Sequence, residues 1–285
     1  METPAAGHYP TAGTMARAAV VSPATRHEPT PAVTGPQGGG GRENPLSRRF
    51  AQFWYRPAML GLTVAILAMA AVVWWMAWAQ AAGLGRVGAD LSLYLGATRS
   101  CLAGGPFYHA RQLAGPYPLE DGDILYPPTA IPLFAAFLTL PPVLFWALPL
   151  GTVAAVVARH RPAPWAWPLM ALCLLYVPTG VKVVHGNPVM WVGAALALGT
   201  VWGWPSVLVL LKPSLAPLAL LGVRRRSWWA AAGAMGLMSL LFAPMWGDWL
   251  RAVLDSRGGG LLYSAQDVPL MLVPVIALAG RSREA

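Results

Sequence analysis

Residues 57–85, PAMLGLTVAILAMAAVVWWMAWAQAAGLG, contain no charged side chain. About twenty such residues in a helix suffice to cross the hydrocarbon of a bilayer, so this stretch predicts a first membrane span. Arg48, Arg49 and Arg56 precede it and place its start on the cytoplasmic side, as arginine excess does for the loops it flanks. The span then delivers residues 86–126 outside, with Asp90, Arg99, His109, Arg111, Glu120, Asp121 and Asp123. The predicted fold is all-α, a polytopic membrane helical bundle with a surface helix after the first span.

Composition agrees with this class. Apolar residues make up 56% of the chain and charged residues 11%, a balance that belongs to membrane bundles and not to soluble domains. Residues 1–55 are rich in Pro, Gly and Thr, contain Gly38–Gly41, and lack apolar periodicity. They read as a disordered cytoplasmic tail, with residues 56–285 forming the membrane domain. The Ala/Gly/Pro/Arg-heavy usage fits a GC-rich bacterial genome, hence a bacterial plasma membrane. No basic patch with interleaved aromatics speaks for nucleic acid. Cys101 and Cys173 have no zinc or redox spacing and read as packing residues.

Further spans follow from the remaining uncharged runs. Thr129–Ala158, broken at Pro141-Pro142, reads as an outer half-helix and one kinked span ending at Arg159-His160-Arg161. Ala163–Pro178 returns outward, a short turn carries Lys182, His185 and Asn187, and Pro188–Trp204 comes back. Residues 205–223 admit two readings. Lys212-Pro213 bends them into a re-entrant hairpin, or they form one ordinary span with Arg224-Arg225-Arg226 outside. Residues 227–247 form another span, an outer loop holds Asp248, Arg251, Asp255 and Arg257, and a short apolar run closes at 280. About six spans result, plus the hairpin.

Asp90 is the candidate of greatest chemical interest, because an acid beside a membrane span is costly to keep. It also suits a helix N-terminus, either as a cap or as an anion near the dipole. Asp90, Tyr94, Ala97 and Cys101 recur at helical spacing and share a face, with Leu91, Leu95 and Leu102 on a neighbouring face suited to the headgroup boundary. Tyr126-Pro127-Pro128 opens the next helical segment, where a tyrosine often serves only as an interfacial anchor. Lys182, His185 and Asn187 bring a cation, a titratable base and an amide together, suited to a phosphate or a sugar; Asn187 also suits the cap of the following helix. Lys182 and Lys212 are the only lysines in the chain, and both sit at bends in apolar surroundings. No phosphate-binding Gly loop, Ser/His/Asp arrangement or HExxH is present.

Asp90-x3-Tyr94-x2-Ala97, Gly104, Tyr108 and Tyr126-Pro127-Pro128 together resemble the first outer loop of the family 87 glycosyltransferases, bacterial GT-C-type membrane enzymes that use polyprenyl-phosphate sugars. His185-Gly186-Asn187 is similar to that family's Gly-Gln-x-Asn turn, shortened and without the Gln, and Leu211-Lys212-Pro213 with the later arginines is similar to its Lys-Pro segment and basic turn. The resemblance spans about residues 86–229. It implies a hexosyltransferase with an extracytoplasmic site and Asp90 as catalytic base. Tyr94, Arg99, Tyr126, Lys182, His185, Asn187 and Lys212 would bind substrate. The implied donor is polyprenyl-phosphate mannose or a related sugar, the acceptor a glycolipid or envelope glycan, the outcome inversion, with neither metal nor other cofactor. Family members continue through further spans, so the resemblance also implies a short or truncated member. The alternatives are a non-catalytic paralogue or partner subunit that binds lipid-linked sugar, and a transporter, against which the uncharged spans speak.

Overall fold

The computed structural model describes residues 45–120, 122–257 and 265–281, with the backbone helix alone given for 45–54. The expected tail is thus outside the described residues up to 44, and so is Asp121. Helix α1 runs Pro45–Gly83, starting inside the stretch read as tail. It is followed by α2 (Ala89–Leu102), α3 (Ala110–Leu113), α4 (Ile131–Ala136), α5 (Leu144–His160), α6 (Ala166–Leu175), α7 (Val177–His185) and α8 (Val189–Trp202). Broken 3-10 turns and the short α9 (Ala216–Ala219) fill residues 204–222, and α10 (Arg226–Leu240), α11 (Trp246–Leu254) and α12 (Val268–Ala279) complete the chain. One two-residue parallel pairing, Tyr117-Pro118 (β1) with Ser256-Arg257 (β2), ties the segment after α3 to the segment after α11. The fold is all-α in essence.

Helix α8 is the centre. It is almost wholly apolar, with small residues at 193–195, 197 and 199, and nearly every position from Val189 to Gly199 is buried, so α5, α12 and the 204–222 segment pack around it. At Gly193 the Met271 methyl of α12 comes within 3.2 Å of where a Cβ would sit, and at Gly199 Ser206 comes within 2.7 Å. Small residues let neighbouring backbones approach closely.

Residues 204–222 fold back on themselves. A Cβ at Gly222 would lie against the Gly203 carbonyl, the Ser206 hydroxyl, with its single proton, lies within bonding distance of Gly203 O (2.7 Å) and Ala219 O (2.8 Å), and Arg225 reaches Val201 O at 2.9 Å. The two ends of the segment therefore meet, and Lys212 lies at its far tip. Proline at 205, 213 and 217 prevents a continuous helix here.

Helix α1 is the one described helix long and apolar enough to cross a membrane alone; counting the two bent pairs as spans gives up to three. In α6–α7 the axis turns by 63° after Tyr176, and from α10 into α11 it turns by 80°. The first bend corrects an expectation. Residues 177–185 are not a turn but helix α7, because Pro178 falls in a helix's first turn, where its missing N–H costs nothing. Asp248 and Arg251 likewise lie on α11 rather than in a loop.

The bundle has two chemically different ends. His160 bonds Thr200 (2.7 Å), Pro162 bridges Arg281, Arg225 bonds the end of α8, and Arg56 lies in one groove with Pro162 and Pro164. Arg56, Arg159, Arg161, Arg224, Arg225, Arg226 and Arg281 thus share one end. The described carboxylates belong to the other end, where α1 finishes and α2, α8 and α12 begin.

Candidate functional site

Asp90 is in the first turn of α2, but it is not the cap. Gly88 caps the helix with φ 71°, a left-handed conformation that glycine adopts without strain. Gly88 N–H donates to Val184 O of α7 (3.0 Å), which fixes the start of α2 against α7. Gly186, at φ 71°, ends α7, and a Cβ there would meet Trp146 at 2.9 Å and Leu91 at 3.1 Å. Only glycine permits this close crossing. Leu91 is consequently buried in the core and does not face a headgroup boundary as expected; of that set, Leu102 is the exposed member.

The crossing places Asn187 opposite Asp90. Asn187 Nδ2 donates to Asp90 Oδ2 at 2.6 Å, while its Oδ1 accepts from Val189 N–H at 3.0 Å. The same amide therefore caps α8 and orients the carboxylate. The capping reading of Asn187 thus holds. The N-terminal dipole of α2 points its positive end at this carboxyl group. Asp90 remains half-buried and is not sealed off from solvent.

Aromatic residues form the floor. Tyr94, one turn beyond Asp90, stacks on Phe134 (4.7 Å between centroids) and meets Tyr126 edge-on (5.4 Å). Tyr126 is buried, not an interfacial anchor, and its hydroxyl faces Asn187 Oδ1 at 3.5 Å. Tyr108 donates to the Tyr126 carbonyl (3.0 Å), and burial pushes its phenol well above the ordinary tyrosine range. Beside this floor, Leu93, Ala97, Ser100, Phe107, Tyr108 and His109 line a mainly apolar groove of about 400 Å³. Leu93 and Ala97 continue the helical row that Asp90 starts.

The two lysines converge on one acid that sequence reasoning missed. Asp267, immediately before α12, is buried; Lys182 of α7 bonds its Oδ1, and Lys212 at the hairpin tip approaches Oδ2 at 2.5 Å. The Lys212 contact lies off hydrogen-bonding directions, so it is an ion pair only. Lys212 Nζ also lies 5.6 Å from the Tyr126 ring centroid, a cation–π distance. This contact links the triad to the Asp90–Asn187–Tyr126 group. The signal was in the sequence: two lysines in apolar surroundings need a counter-charge, and Asp267 is the acid that directly precedes an apolar helix.

Two expected residues stand apart. Arg99 follows Asp90 by nine positions, half a turn out of phase, and it is exposed on the opposite face of α2 with no hydrogen bond or ion pair among the described residues. His185 is in the last turn of α7, half-buried, and has no hydrogen bond among the described residues. The structure thus joins Asp90, Tyr94, Tyr126, Asn187, Lys182 and Lys212, adds Asp267, and leaves Arg99 and His185 outside.

No family model, curated protein or solved structure matches this chain.

Proposed function

We propose that this chain is a polytopic membrane glycosyltransferase that moves a sugar from a polyprenyl-phosphate donor to a lipid or envelope-glycan acceptor on the extracytoplasmic face. The observation that carries the reading is the Asn187-oriented carboxylate of Asp90, held half-open at a helix N-terminus beside a buried cluster with two ammonium groups. Membrane placement is supported by α1, whose most apolar window is only 17% buried, and by exposed leucines such as Leu237 and Leu241 on and just after α10. Such surfaces are stable in lipid and not in water. The arginine end then faces the cytoplasm and the Asp90 end faces out.

In this reading Asp90 takes the proton of an acceptor hydroxyl as that oxygen attacks the anomeric carbon. The bond from that carbon to the phosphate oxygen breaks, and the polyprenyl phosphate leaves with the electron pair. One displacement inverts the anomeric centre. Lys182, Lys212 and Asp267 sum to one positive charge, countering charge that builds on the leaving phosphate. The mainly apolar groove along α2 suits an acceptor with a lipid portion.

A non-catalytic, lipid-binding role is favoured by one fact: both lysines already share a carboxylate. The two readings separate in membranes given radiolabelled polyprenyl-phosphate mannose. The enzyme reading expects label in a new lipid or glycan product above membranes lacking the protein. Absence of transfer to any acceptor, with donor still retained by the protein, leaves the binding role.

A further inference from the structure

A second site lies at the opposite end of the bundle. Arg56, Leu60, Val64 and Leu67 follow one another along one face of α1, and across from them stand Pro164 and Trp167 at the start of α6. Between these walls is a cavity of about 870 Å³. That volume is typical of pockets for sizeable organic ligands, about 300–1,000 Å³. Its lining is apolar apart from Thr63, whose hydroxyl donates to Met59 O (2.7 Å), and Arg56, which provides charge at one end. The Trp167 indole N–H is turned back onto Pro162 O (3.2 Å), which leaves its ring as apolar wall.

We infer that this groove binds one anionic phospholipid of the cytoplasmic leaflet, its phosphodiester at Arg56 and one acyl chain along α1. Three observations point to this occupant. Arg56 makes no hydrogen bond or ion pair among the described residues, so its charge is available. Arg159, Arg161 and Arg281 lie at the same end, and the described carboxylates lie at the other, so the local field favours an anion. From Arg56 to Leu67 the helix rises about 16 Å, close to the depth of one leaflet, half of a hydrocarbon core about 30 Å thick. The inference concerns the arginine end and does not depend on sugar transfer.

The test uses the full-length protein in nanodiscs of phosphatidylcholine with a minor share of phosphatidylglycerol, followed by gentle detergent extraction and mass spectrometry of the lipid retained. Wild type retains phosphatidylglycerol above its share in the disc. Arg56→Glu lowers that enrichment by about fivefold or more, the scale of one arginine contact to an anionic headgroup. Val64→Trp, at an exposed position on the groove wall, reduces retention of both lipids by filling the acyl channel. Arg224→Glu, an exposed arginine not lining this groove, leaves enrichment unchanged. No enrichment in wild type overturns the proposal. Equal losses in Arg56→Glu and Arg224→Glu also overturn it, because they show a general surface charge effect. Enrichment that appears only once residues 1–44 are deleted makes that segment the natural occupant and overturns the lipid.

Discussion

Replacing Asp267 by asparagine isolates the ion triad. The Asp267 side chain is fully buried, that of Lys212 is 6% exposed and that of Lys182 20%. Removing the carboxylate's charge leaves two ammonium groups facing each other with little water to solvate them. Breaking a buried ion pair by neutralising one partner costs about 3–5 kcal/mol, and this variant breaks two contacts at once. Lys182 retains some access to solvent, which moderates its share, so about 3–5 kcal/mol is expected overall. Lys212→Met alone costs less, about 1.5–3 kcal/mol, because Asp267 keeps Lys182. Removing all three charges together, with Lys182→Met, Lys212→Met and Asp267→Leu, returns stability close to wild type, since a buried ionic cluster and an apolar one of similar volume are often equivalent. Denaturant unfolding of the detergent-solubilised protein, followed through its 14 tryptophans, reads these differences. A loss under about 1 kcal/mol for Asp267→Asn, or a triple variant weaker than Asp267→Asn, refutes the triad as a buried electrostatic unit.

Other predictions follow from the same geometry. Gly186→Ala forces a left-handed φ on alanine and a Cβ into Trp146 and Leu91; it should cost at least about 1–2 kcal/mol and lower transfer by separating Asn187 from Asp90, whereas a neutral result in unfolding would break the link between this crossing and the site. Asn187→Asp places a second carboxylate against Asp90, raises the pH needed to ionise the pair and shifts the acidic limb of the transfer profile upward, while Asn187→Ala lowers transfer without that shift. Arg99→Ala should change stability by no more than about 0.5 kcal/mol and leave transfer near wild type, as expected for an exposed residue on the far face of α2. Tyr108 and Tyr117 have phenols raised by burial, so the folded state holds their protons more tightly than the unfolded chain. Their contribution is full below about pH 10, the unfolded tyrosine value, and declines as pH rises above it. Unfolding scans should therefore show a loss of stability starting near that pH and reduced in Tyr108→Phe.

Local physics made part of this molecule readable. The uncharged run behind α1 announces a long helix by length alone, and the Asp90-to-Cys101 spacing announces α2. Lys212-Pro213 between apolar runs signalled the fold-back of 204–222, whose meeting ends are clear only in three dimensions. Pro178 misled because proline marks both helix ends and helix first turns, and here it opens α7. Arg99 was expected among the substrate-binding residues, although the period of 3.6 already set it opposite Asp90. Asp267 was missed because its partners lie far away in sequence, Lys182 by 85 positions. No local pattern encodes such a contact; only the requirement that buried charges be paired points to it.

In the proposed reaction, Asp90 is the group that takes the acceptor's proton. The direct measurement is the rate of sugar transfer by Asp90→Asn against wild type, at equal amounts of folded protein and saturating donor. Asparagine keeps the size and a bond to Asn187 but removes the base, so transfer should fall by at least about a hundredfold, the lower bound for a positioned general base. A rate within about threefold of wild type, far inside that bound, would contradict the account.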